Sequence, residues 1–500
     1  MGYQTRPASL AWWSKAPARS LRCSLPRVTA QLQRDRPQPD ISGPITGGRR
    51  GWPFGAAAFD LDALGYVEQE WFYSGDAACY SHVAGTERRF DGCWQAEPTR
   101  SVPFSSRMLV RRPGDPAKFN GTVVVFWANV SLGFDIFTGE CSRLYDGCAF
   151  VGVTSQRTAV EGYLDGPPYG LRSWDPERYG TLSIPTDDAS YDIFAQAARL
   201  LGPERKAGAL DPLGGLEVRH VVAFGASQSA GRLATYINAI QPLERAFDGF
   251  LLDVYFGNGT PLDTGDSANA GVTNVGQISD LIAAHGLPPG SHLLRDVGVP
   301  VFVVNSESES LAHFPVRQPD TSTYRFWEFA GHAHGTVPSK ETLRSSWERD
   351  LGLTTHPMAP EHGYNVLSLE PGRSAALEHM LDWLEHGTPP PVQDRIRIGG
   401  SPPGVIRDDR GNALGGIRMP SFAVPTGRHT GFAPDGTLHL FGSTEPFDEA
   451  TLRALYPDHH AYTAAFKTAT TEAMNAGVLL PRHAEALISE AERAEIPQSS

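Results

Sequence analysis

Apolar residues in this chain gather into short unbroken runs. Thr122-Val123-Val124-Val125-Phe126-Trp127, opened by the turn Asn120-Gly121, lacks the polar alternation of a half-solvated strand. Such a run predicts a strand buried on both faces of a mostly parallel sheet. Ala149 to Val153, His220 to Phe224 and Val299 to Val304 repeat the pattern, and Phe250 to Tyr255 and Tyr324 to Phe329 are further candidates. Upstream, Gly65 to Tyr73 and Ser105 to Arg111 mix β-branched, aromatic and polar residues, which suits early antiparallel strands. Helical spacing intervenes: Tyr191 to Leu201 sets Ile193, Phe194, Ala197, Ala198 and Leu201 on one face, and Ser229 to Ile240 starts a helix directly after a strand. The alternation predicts an α/β fold with a mostly parallel central sheet, helices on both faces and antiparallel first strands.

The globular part is expected to begin near Phe59, where turn-rich sequence gives way to the first strand. The stretch from 257 to 297 is too long for a plain connection and reads as a cap insertion. Ala375 to Glu385 has the spacing of an amphipathic helix. A Pro/Gly-rich section follows as far as Pro425, then helical patterns at Glu449 to Leu455, His460 to Ala476 and Arg482 to Ala494. The expected division is a leader over 1–50, a domain over 51–390 and a C-terminal extension over 391–500 packed on that domain.

Composition narrows the partners. The 500 residues are 40% hydrophobic and 20% charged, enough for a large core. Net charge is −13 with no basic cluster in the body of the chain, which argues against nucleic acid and anionic membrane as partners. No apolar run reaches the roughly 18 residues of a membrane span, so the chain reads as soluble and cytoplasmic. The first fifty residues carry nine arginines and lysines but no apolar stretch for a secretory signal, and Arg49-Arg50 lacks a following apolar segment. They read as a disordered leader, with an organelle presequence as the alternative. Five cysteines without C-x-x-C spacing exclude a complete disulfide framework and leave open one bond such as Cys93 with Cys148.

The candidate chemistry centres on Gly225-Ala226-Ser227-Gln228-Ser229. A serine hydroxyl becomes a nucleophile when a base takes its proton, and a sharp strand-to-helix turn exposes it. Here a predicted strand precedes Ser227, small residues make room for the turn, and a helix follows. The common pattern is G-x-S-x-G; Ser229 stands in the last place. Downstream, Ala330-Gly331-His332-Ala333-His334 follows the strand at Tyr324 to Phe329, and either imidazole is placed to serve as the base. The strand Val299 to Val304 leads into Asn305-Ser306-Glu307-Ser308-Glu309, which supplies the acid. Counting from the strand end favours Glu309, with Glu307 the alternative. An oxyanion hole takes one backbone N–H from Gln228 and one from the loop after Trp127, where Asn129 or its neighbour Val130 is the candidate. No carboxylate or further histidine accompanies His332 and His334 at ligand spacing, so neither a metal nor an organic cofactor is expected.

These residues resemble the alpha/beta hydrolase domain-containing proteins. The likeness rests on Tyr66-Val67-Glu68-Gln69-Glu70, Arg111-Arg112-Pro113, Phe119 to Val125, Trp127 with Asn129-Val130-Ser131, Asp175 to Tyr179, Ser227-Gln228-Ser229-Ala230-Gly231-Arg232, Trp327-Glu328 and Gly415 to Pro420. It runs from Phe59 to about Ala494. The resemblance implies an α/β-hydrolase fold, Ser227 as nucleophile and His334, which closes an A-G-x-x-H pattern, as base. Relatives often carry E-x-D where this chain has Glu307-Ser308-Glu309, glutamate where it has Phe126, and a small residue where it has His332. The expected activity is a serine hydrolase that cleaves a carboxylic ester or lactone through an acyl-enzyme, its small-molecule substrate held by aromatics of the 127–174 region and the insertion after Gly257. The rivals are an acyltransferase, cyclase or lyase on the same three residues, and a non-catalytic binding protein of this fold.

Overall fold

The computed structural model describes residues 38–86, 89–163, 166–205, 210–263, 291–335, 345–354 and 364–497. Nine strands form one sheet: β1 (Asp40–Ser42), β2 (Tyr66–His82), β3 (Ala96–Pro113), β4 (Thr122–Trp127), β5 (Ala149–Val153), β6 (His220–Ala226), β7 (Gly249–Asp253), β8 (Val301–Ser306) and β9 (Tyr324–Phe329). Their order is β1-β2-β3-β5-β4-β6-β7-β8-β9. Pairing is antiparallel from β1 through the β3–β5 contact and parallel from β5 to β9. The mixed sheet flanked by helices is the α/β fold that the apolar runs predicted, and it has the α/β-hydrolase architecture that the resemblance implied.

Parity along the buried strands decides which layer each side chain joins. In β4, Val123, Val125 and Trp127 enter one core and Val124 and Phe126 the other; Val301 and Val303 against Phe302 and Val304 divide β8 the same way. Successive side chains of a strand point to opposite faces, so covering both faces requires apolar residues at every position. Helices α1 (Ser190–Leu201) and α2 (Gln228–Thr235) pack on the first face with Ile193, Phe194, Ala197 and Leu233. Helix α3 (Glu370–His386) covers the second with Ala375, Ala376, Met380 and Trp383. Phe126 lies in this second core among Phe137, Phe150 and Phe224.

Several expectations are corrected. Ordered structure starts before Phe59: Asp40–Ser42 pairs with β2, and Arg178 donates to the carbonyls of Ile45 and Gly47. The helix after Ser227 is α-helical only to Thr235 and continues as a π-helical turn over Tyr236–Ile240. Cys148 is a free buried thiol, so it does not pair with Cys93. Beyond α3 come the short strands β10 (Ile398–Gly399) and β11 (Gly404–Val405). An unforeseen hairpin of β12 (Gly427–Phe432) and β13 (Leu438–Pro446) follows, and then helices α4 (Glu449–Leu455), α5 (His459–Asn475) and α6 (Pro481–Arg493). Ala473, Val478 and Ala484 of this last region join the core under α3. Of the expected cap, residues 264–290 lie outside the described residues. Its described ends are pinned to the body, Thr260 N–H donating to the Gly231 carbonyl at 3.2 Å.

Candidate functional site

The chain crosses between β5 and β6 over β4, so the carboxyl ends of β4 and β6 flank the point where strand order reverses, the usual ligand crevice of open α/β sheets. Ser227 stands there between β6 and α2 with φ 59° and ψ −117°. A side-chain-bearing residue adopts such a backbone only where its surroundings impose it. Four contacts do so. Ser227 N–H donates to the Asp253 carbonyl of β7 at 3.0 Å, and Gly231 N–H donates to the Ser227 carbonyl at 3.2 Å. Ser229 Oγ accepts from Ala226 N–H and donates to the Ala226 carbonyl, both at 2.9 Å, which explains the serine in the last place of the motif. At Gly225 a Cβ would come within 2.8 Å of the Ser229 carbonyl oxygen, so only glycine lets the helix fold back this tightly.

The loop after β8 separates the two glutamates. Glu309 Oε1 lies 2.7 Å from His334 Nδ1, and its Oε2 accepts from Ser306 N–H at 2.8 Å and Ser306 Oγ at 2.6 Å. Glu307 turns elsewhere: Oε1 accepts from Arg407 at 2.6 Å and Thr430 Oγ1 at 2.9 Å, and Oε2 from Gly331 N–H at 2.8 Å. Glu307 therefore belongs to the contact between this loop, the loop after β9 and the C-terminal region, and does not meet the imidazole. Ser308 Oγ donates to the Gly431 carbonyl of β12 and accepts from His334 N–H. Phe256 stacks on the His334 ring at 5.3 Å.

His332 is a different kind of residue. It is buried, its Nδ1 pairs with the Ala330 carbonyl at 2.9 Å, and burial pushes its imidazole down to about 4. Between the glutamate loop and the elbow, Asp253 is buried against Arg373, whose Nε lies 2.9 Å from its Oδ2, and burial raises its carboxyl above the usual range. A small pocket lined by Asp253, Arg373, Phe224 and Leu251 lies on the α3 side of the sheet and is not lined by Ser227 or His334.

The loop after β4 is rigidly held. Asn129 Nδ2 donates to the Ala226 carbonyl at 3.1 Å and ties the loop to the elbow. Its backbone N–H, however, donates to the Ile136 carbonyl at 3.1 Å, and its Oδ1 takes Ser131 N–H. Asn129 thus has no backbone donor to offer an oxyanion, which leaves Val130 as the candidate in this loop. Farther along, Asp135 is bound by the buried Arg107 at 2.8 Å, and Arg107 in turn by Glu70 at 2.8 Å.

Sequence reasoning missed Ser306, Ser308, Arg407, Thr430, Phe256 and Asp253. The serines and Asp253 stand at strand ends, which is a local signal; Arg407 and Thr430 carry none.

Among curated proteins, none matches this chain. Among solved structures, esterase Est22 is 13% identical over 49% of this chain and 68% of its own, with TM-score 0.26. A thermophilic pNB esterase is 13% identical over 57% of this chain and 75% of its own, with TM-score 0.28. Oligopeptidase B from Leishmania major is 12% identical over 51% of this chain, which spans 30% of that protein, with TM-score 0.24. The family model described as "Alpha/beta hydrolase domain" matches residues 41–489, and the chain accordingly belongs to the alpha/beta hydrolase domain family.

Proposed function

We propose that this protein is a serine hydrolase that cleaves a carboxylic ester or lactone through an acyl-enzyme. Family membership supports hydrolase activity in general. The reading of this site rests on the Glu309–His334 pair at 2.7 Å, standing at the same carboxyl edge of the sheet as the Ser227 elbow. Ser227 Oγ attacks the carbonyl and His334 Nε2 takes its proton. Glu309 fixes the ring so that Nδ1 carries the hydrogen and Nε2 stays basic, and it offsets the charge of the imidazolium. The Gln228 and Val130 backbone N–H groups receive the oxyanion. His334 then protonates the departing alkoxide, and water activated by the same imidazole releases the acid.

The test is labelling with a fluorophosphonate, followed by a screen of ester and lactone substrates with wild type beside Ser227→Ala and His334→Ala. Labelling at Ser227 with hydrolysis lost in both variants is the expected outcome. Equal turnover by wild type and Ser227→Ala would remove the mechanism.

A further inference from the structure

The peptide group that joins Ala226 to Ser227 is held from both sides. Its N–H is that of Ser227, which donates to the Asp253 carbonyl of β7 at 3.0 Å. Its oxygen is the Ala226 carbonyl, which accepts from Ser229 Oγ at 2.9 Å and from Asn129 Nδ2 at 3.1 Å. Turning this plane about the Ser227 N–Cα bond changes φ of Ser227, so the three contacts together keep that angle at 59°. Two of them come from β7 and α2, which flank the elbow in any case. The third crosses from the loop after β4 and depends on one side chain.

The Asn129 amide cannot turn round. Ser131 N–H can only donate, and it does so to Oδ1 at 2.8 Å; the Ala226 carbonyl can only accept, so it faces Nδ2. The Asn129 backbone is fixed as well, its N–H donating to the Ile136 carbonyl at 3.1 Å and its carbonyl accepting from Ile136 N–H at 2.8 Å. Asp135, the residue before Ile136, is bound by the buried Arg107 at 2.8 Å, and Arg107 by Glu70 at 2.8 Å. An ion-pair network rooted in β2 and β3 thus ends on the carbonyl beside Ser227. Asn129 is buried, so bulk water is not at hand to replace its bond.

We propose that Asn129 is a positioning residue for Ser227: its Nδ2 holds the Ala226 carbonyl so that Ser227 keeps the backbone angle from which Oγ attacks. Without that bond the Ala226–Ser227 plane relaxes toward the negative φ that a residue with a side chain prefers, and Oγ shifts. A displacement of about 1 Å in a reacting group can cost about a hundredfold in rate. Asn129 therefore serves catalysis through its side chain, while its backbone N–H belongs to Ile136. This proposal rests on Ser227 being the nucleophile.

The experiment follows p-nitrophenyl butyrate hydrolysis by wild type, Asn129→Ala and Asn129→Asp, with kcat expressed per site labelled to completion at Ser227 by a fluorophosphonate. Counting labelled sites removes loss of folded protein from the comparison. Asn129→Asp keeps the acceptor for Ser131 N–H and loses the donor to Ala226, which separates the shape of the loop from the bond to the elbow. It is assayed at pH 8, about four units above the ordinary aspartate pKa, so that the new side chain is a carboxylate. The expected result is a fall of about tenfold or more in kcat per labelled site in both variants, with KM within about threefold of wild type. A purely structural role would lower the labelled fraction and leave kcat per site unchanged. Asn129→Asp with kcat per labelled site within about threefold of wild type overturns the positioning role and leaves the hydrolase reading intact, whatever Asn129→Ala does. A wild type that does not label at Ser227 overturns both.

Discussion

Glu309 Oε1 lies 2.7 Å from His334 Nδ1, while Glu307, two residues earlier and just as buried, binds Arg407 and Thr430. Two glutamates in one loop thus serve different ends, and amide substitution separates them. Glu309→Gln loses the acceptor that fixes the His334 tautomer, and kcat is expected to fall about a thousandfold with little change in folding. Glu307→Gln keeps its shape and weakens charge-assisted bonds to Arg407, at a cost of about 1–3 kcal/mol in stability. Its activity should stay within about tenfold of wild type. Steady-state kinetics beside urea titration reads both, and a reversed pattern would exchange the roles of the two residues.

Ser227 adopts a φ of 59° with a side chain attached, which costs about 1–3 kcal/mol that its surroundings supply. Glycine has no Cβ to strain there. Ser227→Gly is therefore expected to raise stability by about 1 kcal/mol relative to Ser227→Ala, although the greater freedom of its unfolded chain offsets part of the gain. Both variants lose hydrolysis. Denaturant midpoints of the two proteins supply the comparison, and a less stable glycine variant would contradict strain at the elbow.

How far the sequence was legible follows from where each piece of information resides. The bounds of β5 coincide with its apolar run, because a strand covered on both faces is apolar throughout, and those of β9 coincide with the expected Tyr324 to Phe329 although Arg325 and Glu328 interrupt its apolar residues. β2 and β3 run longer than expected, since Ala77 to His82 pairs with Ala96 to Val102 along positions that are partly exposed. Their length comes from pairing with each other, which no single segment records. The β12–β13 hairpin was invisible: Gly427-Arg428-His429-Thr430-Gly431-Phe432 has no regular alternation. The choice between Glu307 and Glu309 was undecidable locally, because the partners that claim Glu307 lie 100 and 123 positions downstream. Asn129 has the position of an oxyanion donor in the sequence, but its N–H is already bonded to the Ile136 carbonyl.

Burial holds His332 and His429 down to about 4, against 6.5 for a free imidazole. Between those values the unfolded chain binds protons that the folded chain does not, so stability is complete above about pH 6.5 and falls as pH drops toward 4. Each group contributes up to about 3 kcal/mol over that window. Glu370, depressed to about 2, loses its own contribution only at lower pH, as pH falls from 4.5 toward 2. Urea midpoints between pH 7 and 4 should therefore decline in wild type and decline less steeply in His332→Asn, which does not titrate. Equal slopes in the two proteins would show that His332 is not buried in its neutral form.

The β12–β13 hairpin, which the sequence did not reveal, meets the glutamate loop at a glycine. At Gly431 a Cβ would lie 2.3 Å from the Ser308 backbone nitrogen and 2.7 Å from the Glu307 carbonyl carbon. Neither atom can rotate away, so a methyl group there must move the strand or the loop, and overpacking of this kind costs about 1–3 kcal/mol. The loop that would move also carries Glu309, and Ser308 Oγ receives the His334 backbone N–H at 3.1 Å. Gly431→Ala is thus expected to lower kcat about tenfold or more from a site on a different segment of the chain, with KM changed less. The nearby control is Gly436→Ala: Gly436 lies in the β12–β13 turn, where an added methyl group would meet nothing within 4 Å, although its φ of 87° strains any side chain. That variant should lose stability and keep its kcat. Equal kcat values for the two variants would show that the hairpin does not hold the glutamate loop in place.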